Sequence, residues 1–157
     1  MKLKGLTDED FVNYKKPSMF IAFPSCTFKC ERECSECHCQ NSSLANADTI
    51  EYPYYKIVDR YLANPITSAV VCGGLEPFDD FKDLHTLICE LRACSDDDIV
   101  IYTGYNKEEV VEQIDLLSAL KNIIVKFGRY VPGQQPHADP ILGVSLASDN
   151  QYAERIS

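Results

Sequence analysis

Four short apolar runs set the limits on how this chain can fold. "SMFIAF" (Ser18 to Phe23), "SAVVCGG" (Ser68 to Gly74), "DIVIYTG" (Asp98 to Gly104) and "NIIVKFG" (Asn122 to Gly128) are rich in β-branched and aromatic residues, and each closes near Gly or Pro. That pattern predicts buried strands. Between them lie stretches with helical spacing: Tyr55, Val58, Tyr61 and Leu62; then Phe81, Leu84, Ile88 and Leu91; then Val110, Ile114 and Leu117. Alternation of strand and helix implies an α/β protein with a mostly parallel sheet and right-handed crossovers. "ILGVSLA" (Ile141 to Ala147) is a candidate for a last strand. With 157 residues, the chain is expected to form one domain spanning 1–157. Ligands of such sheets gather beyond the carboxyl ends of the strands. A cysteine-rich loop follows the first run, "GGLEP" the second and "TGY" the third, so three chemically distinctive loops are expected at one edge of one sheet.

Fifteen Lys and Arg stand against twenty-four Asp and Glu, a formal net charge of −9 that works against a nucleic-acid partner. The opening "MKLKGLTDEDFVNYKK" carries charges throughout, and no run approaches the roughly 18 apolar residues of a membrane span. The expectation is a cytoplasmic protein with no membrane association. Five of the eight cysteines (Cys26, Cys30, Cys34, Cys37 and Cys39) fall within fourteen residues, in a loop of about residues 24–43 that reads "PSCTFKCERECSECHCQNSS". In a reducing compartment such a cluster points to metal binding or redox chemistry rather than disulfides. Thiolates suit both a closed tetrahedral zinc site and an iron-sulfur cluster. Cys26, Cys30, Cys34 and Cys37 form a C-x3-C…C-x2-C set compatible with structural zinc. Cys72, within a strand run, and Cys89 and Cys94, in or near a helix, are expected to be packing residues in the core or near the surface.

The motifs "SCTFKC…CQN", "CGGLEP", "YTGY", "IIVKFGRYVPGQ" and "SLASDNQ", in that order from about Met19 to Ile156, resemble the activating component of the anaerobic (class III) ribonucleotide reductase, a small radical S-adenosylmethionine enzyme. The resemblance implies a partial, open β/α barrel. A full (β/α)8 barrel typically needs about 200 residues or more, and a partial one leaves a side of its site to be covered by a protein substrate. It further implies a [4Fe-4S] cluster held by three cysteines, with one iron left for the amino and carboxylate groups of S-adenosylmethionine. Reductive cleavage of that cofactor would give methionine and a 5′-deoxyadenosyl radical, which removes hydrogen from a glycine of the partner. The implied partners are the large catalytic subunit of the anaerobic reductase and an electron donor such as flavodoxin or ferredoxin. Three protein thiolates leave the open coordination position that a catalytic site requires, and the cofactor supplies the radical chemistry.

The usual spacing of the family, C-x3-C-x2-C, is matched literally by Cys30, Cys34 and Cys37. However, "SCTFKC" resembles the first two ligands of the family, with Lys29 before the second, and "CQN" resembles the "CHN" that follows the third. The resemblance therefore favours Cys26, Cys30 and Cys39 as metal ligands, with "ERECSECH" as a lengthened loop, Cys37 as the nearest rival to Cys39, and Cys34 and Cys37 otherwise spare thiols or a redox pair. His38 occupies the position from which family members touch the adenine ring; its other reading is a solvated loop histidine. Gly73 and Gly74 would line the methionine end of the cofactor, where missing side chains let backbone approach. Glu76 belongs to the same motif but is displaced by Leu75, and a carboxylate starting a helix is its alternative. Thr103 is the candidate for a polar contact, against an ordinary strand-packing role. "GVSLASDNQ" receives no role. Two other functions stay open: a radical enzyme acting on another substrate, and a zinc-stabilised interaction module.

Overall fold

The computed structural model describes residues 1–33 and 39–157, with residue 33 described for its backbone only. In chain order the elements are β1 (Lys2–Leu3), β2 (Gly5–Asp10), β3 (Ser18–Phe23), α1 (Lys29–Glu33), α2 (Ser42–Ala45), β4 (Ile50–Glu51), α3 (Tyr54–Ala63) and β5 (Ala69–Gly74). A 3-10 turn (Pro77–Asp80) then runs into α4 (Phe81–Arg92), followed by β6 (Asp98–Tyr102), a second 3-10 turn (Lys107–Glu109), α5 (Val111–Ser118), β7 (Ile123–Phe127), β8 (His137–Asp139), β9 (Val144–Leu146) and β10 (Tyr152–Arg155).

The four apolar runs are β3, β5, β6 and β7, and they pair in parallel in that order. Antiparallel edge strands complete a six-stranded mixed sheet of order β10-β7-β6-β5-β3-β2. Period-two alternation divides its faces. Met19, Ile21, Phe23, Val70, Cys72, Ile99, Ile101, Ile123, Val125 and Phe127 share one cluster with Ile57, Tyr61, Leu84, Leu87, Ile88, Ile114 and Leu117. Helices α3, α4 and α5 therefore cover the same face. On the other face Ala69, Val71, Val100 and Ile124, with Ala153 of the edge strand β10, are covered by Tyr14, Leu142 and Leu146. That cover comes from the crossing after β2 and from the small β8–β9 hairpin, and it stops short of the carboxyl ends of the parallel strands.

Two expectations are corrected. Tyr55 and Leu62, on the helical spacing that also holds Val58 and Tyr61, do not join their buried face: they are 60% and 51% exposed, while Ile57, outside that spacing, is fully buried. In a helix of three turns or fewer, two overlapping apolar stripes fit the same spacing, and packing onto α4 selects the one containing Ile57. "ILGVSLA" does not extend the main sheet: its Val144–Leu146 pairs with His137–Asp139 after a turn at Gly143 (φ +72°), and β10 takes the sheet edge instead. Cys72 is fully buried, in the core as expected, and Cys89 and Cys94 are exposed, at the near-surface end of the same expectation. Among the described residues no helix is long and apolar enough to cross a membrane.

Candidate functional site

The uncovered end of the second face opens into a cavity of about 640 Å³, within the size range of small-molecule sites. Its walls include Phe20 and Ala22 of β3, Gly73 and Gly74 of β5, Tyr102 of β6 and Lys126 of β7, with Cys26 and Cys30 at the rim. The loops after the three parallel strands thus meet at one cavity, as their places in the sequence imply.

The cysteine loop is held at both ends. On its outgoing side the Ser25 carbonyl accepts from the Glu76 N–H at 2.8 Å, and the Thr27 N–H donates to Asp79 at 2.7 Å. Tyr105 donates to the other Asp79 oxygen at 2.6 Å. Lys29 pairs with Glu109, which also receives both arms of Arg129 at 2.9 and 3.0 Å. Phe28, between the first two cysteines, adopts φ +52°, a conformation costly for a bulky residue and one that persists where surroundings over-determine the backbone. On the returning side the Cys39 N–H donates to Glu31 at 2.5 Å, and the Asn41 amide donates to the Gly74 carbonyl at 2.6 Å. Lys4 donates to the Ala45 and Ala47 carbonyls at the end of α2 and just beyond it, at 3.2 and 2.5 Å.

Burial pushes the Cys26 thiol up to about 11; the Phe28 N–H on its sulfur opposes this, and Glu76, Asp79 and Cys30 add to it. Burial also raises Cys39, opposed by the Asn41 N–H and reinforced by Cys30 and Glu31. Cys30 therefore lies within electrostatic reach of both other thiols. A bound soft metal overrides such shifts, because a coordinating thiol is deprotonated outright. Among the described residues no three His, Cys, Asp or Glu side chains are already drawn together as a ligand set. Cys34, Cys37 and His38 lie outside the described residues. The donor set itself fits an iron-sulfur cluster: two cysteines open onto a cavity and a third stands on the returning arm of the same anchored loop.

Glu76 is only 6% exposed. One carboxylate oxygen accepts from the Phe78 N–H at 3.1 Å and the Thr103 hydroxyl at 2.8 Å, and the other accepts from the Gly104 N–H at 2.8 Å. Burial pushes its carboxyl up to about 7, with the donors from Gly104, Thr103 and Phe78 restraining the rise. Glu76 thus caps the first 3-10 turn and ties the end of β5 to the end of β6, while still forming part of the cavity wall. Thr103, 2% exposed, donates its hydroxyl to Glu76 and accepts from the Tyr105 N–H. Its hydroxyl serves the bracket first. Gly73 and Gly74 both face the cavity.

The quoted motifs contain several other wall residues to which they assign no role: Asn41 in "CQN", Tyr102 in "YTGY", Lys126 and Arg129 in "IIVKFGRYVPGQ" and Gln151 in "SLASDNQ". Lys126 had a visible signal, a charged residue inside the otherwise apolar run "NIIVKFG". The others carry no signal that separates them from their neighbours within those motifs. In the "SLASDNQ" segment, Gln151 accepts from the Ala147 and Ser148 N–H groups and donates to the Gly128 carbonyl, closing a loop around the cavity rim.

A family model for a 4Fe-4S single cluster domain matches residues 21–151. The chain therefore belongs to that family, and the match spans the cavity strands, the cysteine loop and the rim. No curated protein and no solved structure matches the chain.

Proposed function

We propose that this protein is a radical S-adenosylmethionine enzyme with a partial β/α barrel, and that it activates an anaerobic ribonucleotide reductase by generating a glycyl radical in the large subunit. The observation that carries the proposal is the sharing of one cavity by Cys26 and Cys30 with the bare backbone of Gly73 and Gly74. A cysteine-held cluster at that rim would face space for a small cofactor instead of being closed off. Membership of a 4Fe-4S family supports iron and sulfide over structural zinc.

The bound [4Fe-4S] cluster would supply the electron that splits S-adenosylmethionine into methionine and a 5′-deoxyadenosyl radical. The residues of the chain do the rest. Cys26, Cys30 and Cys39 hold the cluster and leave one position open. Gly73 and Gly74 keep side chains out of the cavity floor. Glu76 and Thr103 fix the ends of β5 and β6 relative to each other, so the wall keeps its shape when a ligand enters. The electron would come from flavodoxin or ferredoxin in the cytoplasm.

The test is anaerobic purification with metal and sulfide analysis, followed by incubation of the reduced protein with S-adenosylmethionine. We expect roughly four irons with matching sulfide per chain and formation of methionine and 5′-deoxyadenosine. Stoichiometric zinc without sulfide, or a reduced cluster that leaves the cofactor intact, overturns the proposal.

A further inference from the structure

Lys126 sits in the middle of β7 and points to the cavity face, opposite Ile123, Val125 and Phe127 on the helix-covered side. It is only 7% exposed. Its ammonium donates to the Gly128 carbonyl at 2.8 Å and lies 6.0 Å from the centre of the Tyr102 ring. Among the described residues those are its partners, and it makes no ion pair. The other cation on this wall, Arg129, is already engaged by Glu109. Burying an ammonium without an ion pair is costly, and burial pulls Lys126 down to about 8 even with Glu76 opposing. A lysine used merely to fill the wall would be replaced at lower cost by an apolar side chain of similar length.

We propose that Lys126 is the anchor for a carboxylate carried by the ligand of this cavity. An ammonium has three N–H donors; one is held by Gly128 and fixes the direction of the head group, and the remainder match one carboxylate in a site shielded from water, where such a pair is stronger than in solution. A phosphate dianion would ordinarily call on more donors than this single head group offers. Resting on the function proposed above, the carboxylate is that of the methionyl part of S-adenosylmethionine, and Lys126 sets the selectivity for the intact amino acid end.

The experiment measures binding to the anaerobic, cluster-containing protein by equilibrium dialysis, with S-adenosylmethionine and with its decarboxylated counterpart. The wild-type protein should prefer the carboxylated ligand by about tenfold or more. Part of that preference belongs to the open iron position, which also takes the carboxylate; the Lys126→Met protein should therefore prefer the carboxylated ligand about tenfold less than wild type, and Lys126→Arg should recover part of the difference. Wild-type protein that binds both ligands equally overturns the anchor and leaves the proposed function standing. A preference in Lys126→Met as large as in wild type does the same. Binding of neither ligand by wild-type protein overturns the proposed function together with the anchor. Displacement of S-adenosylmethionine by millimolar inorganic phosphate in wild-type protein but not in Lys126→Met would replace the carboxylate with phosphate and overturn the assignment. Each protein is read by the ratio of its two affinities, and Lys126→Arg keeps the charge on the wall, so a general loss of binding through misfolding cannot imitate the result.

Discussion

Gly74 ends β5 at φ +85°, and a Cβ placed on it would lie 2.8 Å from the Ala22 Cα and 3.0 Å from the Leu44 side chain. Both the backbone conformation and the neighbouring strand therefore demand glycine before any cofactor is considered. Gly74→Ala should cost about 1–3 kcal/mol and lower the thermal midpoint without added ligand; an unchanged midpoint would show that the loop yields freely. Gly73 is different, because its Cβ would meet the Phe20 ring at 3.2 Å, a cavity-wall side chain. Asp98 shows the opposite kind of constraint. Burial would push its carboxyl up, but Lys16, Arg155 and Tyr14 outweigh burial and hold it down to about 2, from an ordinary value of 3.8. With the folded value below the unfolded one, its stabilisation is fully present above about pH 4 and is lost as pH falls through about 2. We expect Asp98→Asn to be less stable than wild type by about 2 kcal/mol at pH 7, and the gap to shrink steadily between pH 4 and pH 2 in parallel urea unfolding curves. A gap independent of pH would assign the loss to packing.

At the level of elements, the cysteine loop is the part whose chemistry was plain in the sequence and whose geometry was not. Five clustered thiols announce metal or redox chemistry, but the hold on the loop comes from Asp79, Glu109, Tyr105 and Glu31, polar residues with no distinguishing pattern. Cys26→Ala, Cys30→Ala and Cys39→Ala should each abolish the low-potential cluster, whereas Cys34→Ala should retain it, as read by iron content and electron paramagnetic resonance of the reduced protein. A cluster kept in Cys39→Ala and lost in Cys37→Ala would move the third ligand to Cys37. The parallel strands were legible because buried strands are continuous apolar runs. The edges were not. β2 reads "GLTDED" and β10 reads "YAER", since an edge strand with one covered face needs few apolar residues; in β10 Ala153 alone is buried. Glu76 takes the capping role offered as its alternative, and the same residue lies where the loops converge.

Across the whole molecule, the placement of α3, α4 and α5 on one face leaves the other to the β2–β3 crossing and the β8–β9 hairpin, and the sheet ends in two edges rather than closing. The cavity consequently remains open on a side that no described segment covers. A 5′-deoxyadenosyl radical abstracts hydrogen from nearly any C–H group within reach, so it must form where water and stray donors are excluded. In the proposed function the missing wall is the large reductase subunit, and its glycine is brought to the cavity by docking. Cofactor cleavage by the isolated protein should accordingly be slow, and adding the anaerobic reductase from the same genome should produce a glycyl radical signal in that partner. Hydrogen would pass directly from the glycine Cα to the 5′ carbon of the cofactor fragment. With the target glycine deuterated, mass spectrometry should find the label in 5′-deoxyadenosine; a partner radical formed without transfer of label would reject direct abstraction, and cleavage with no radical in the reductase would move the proposal to a different substrate.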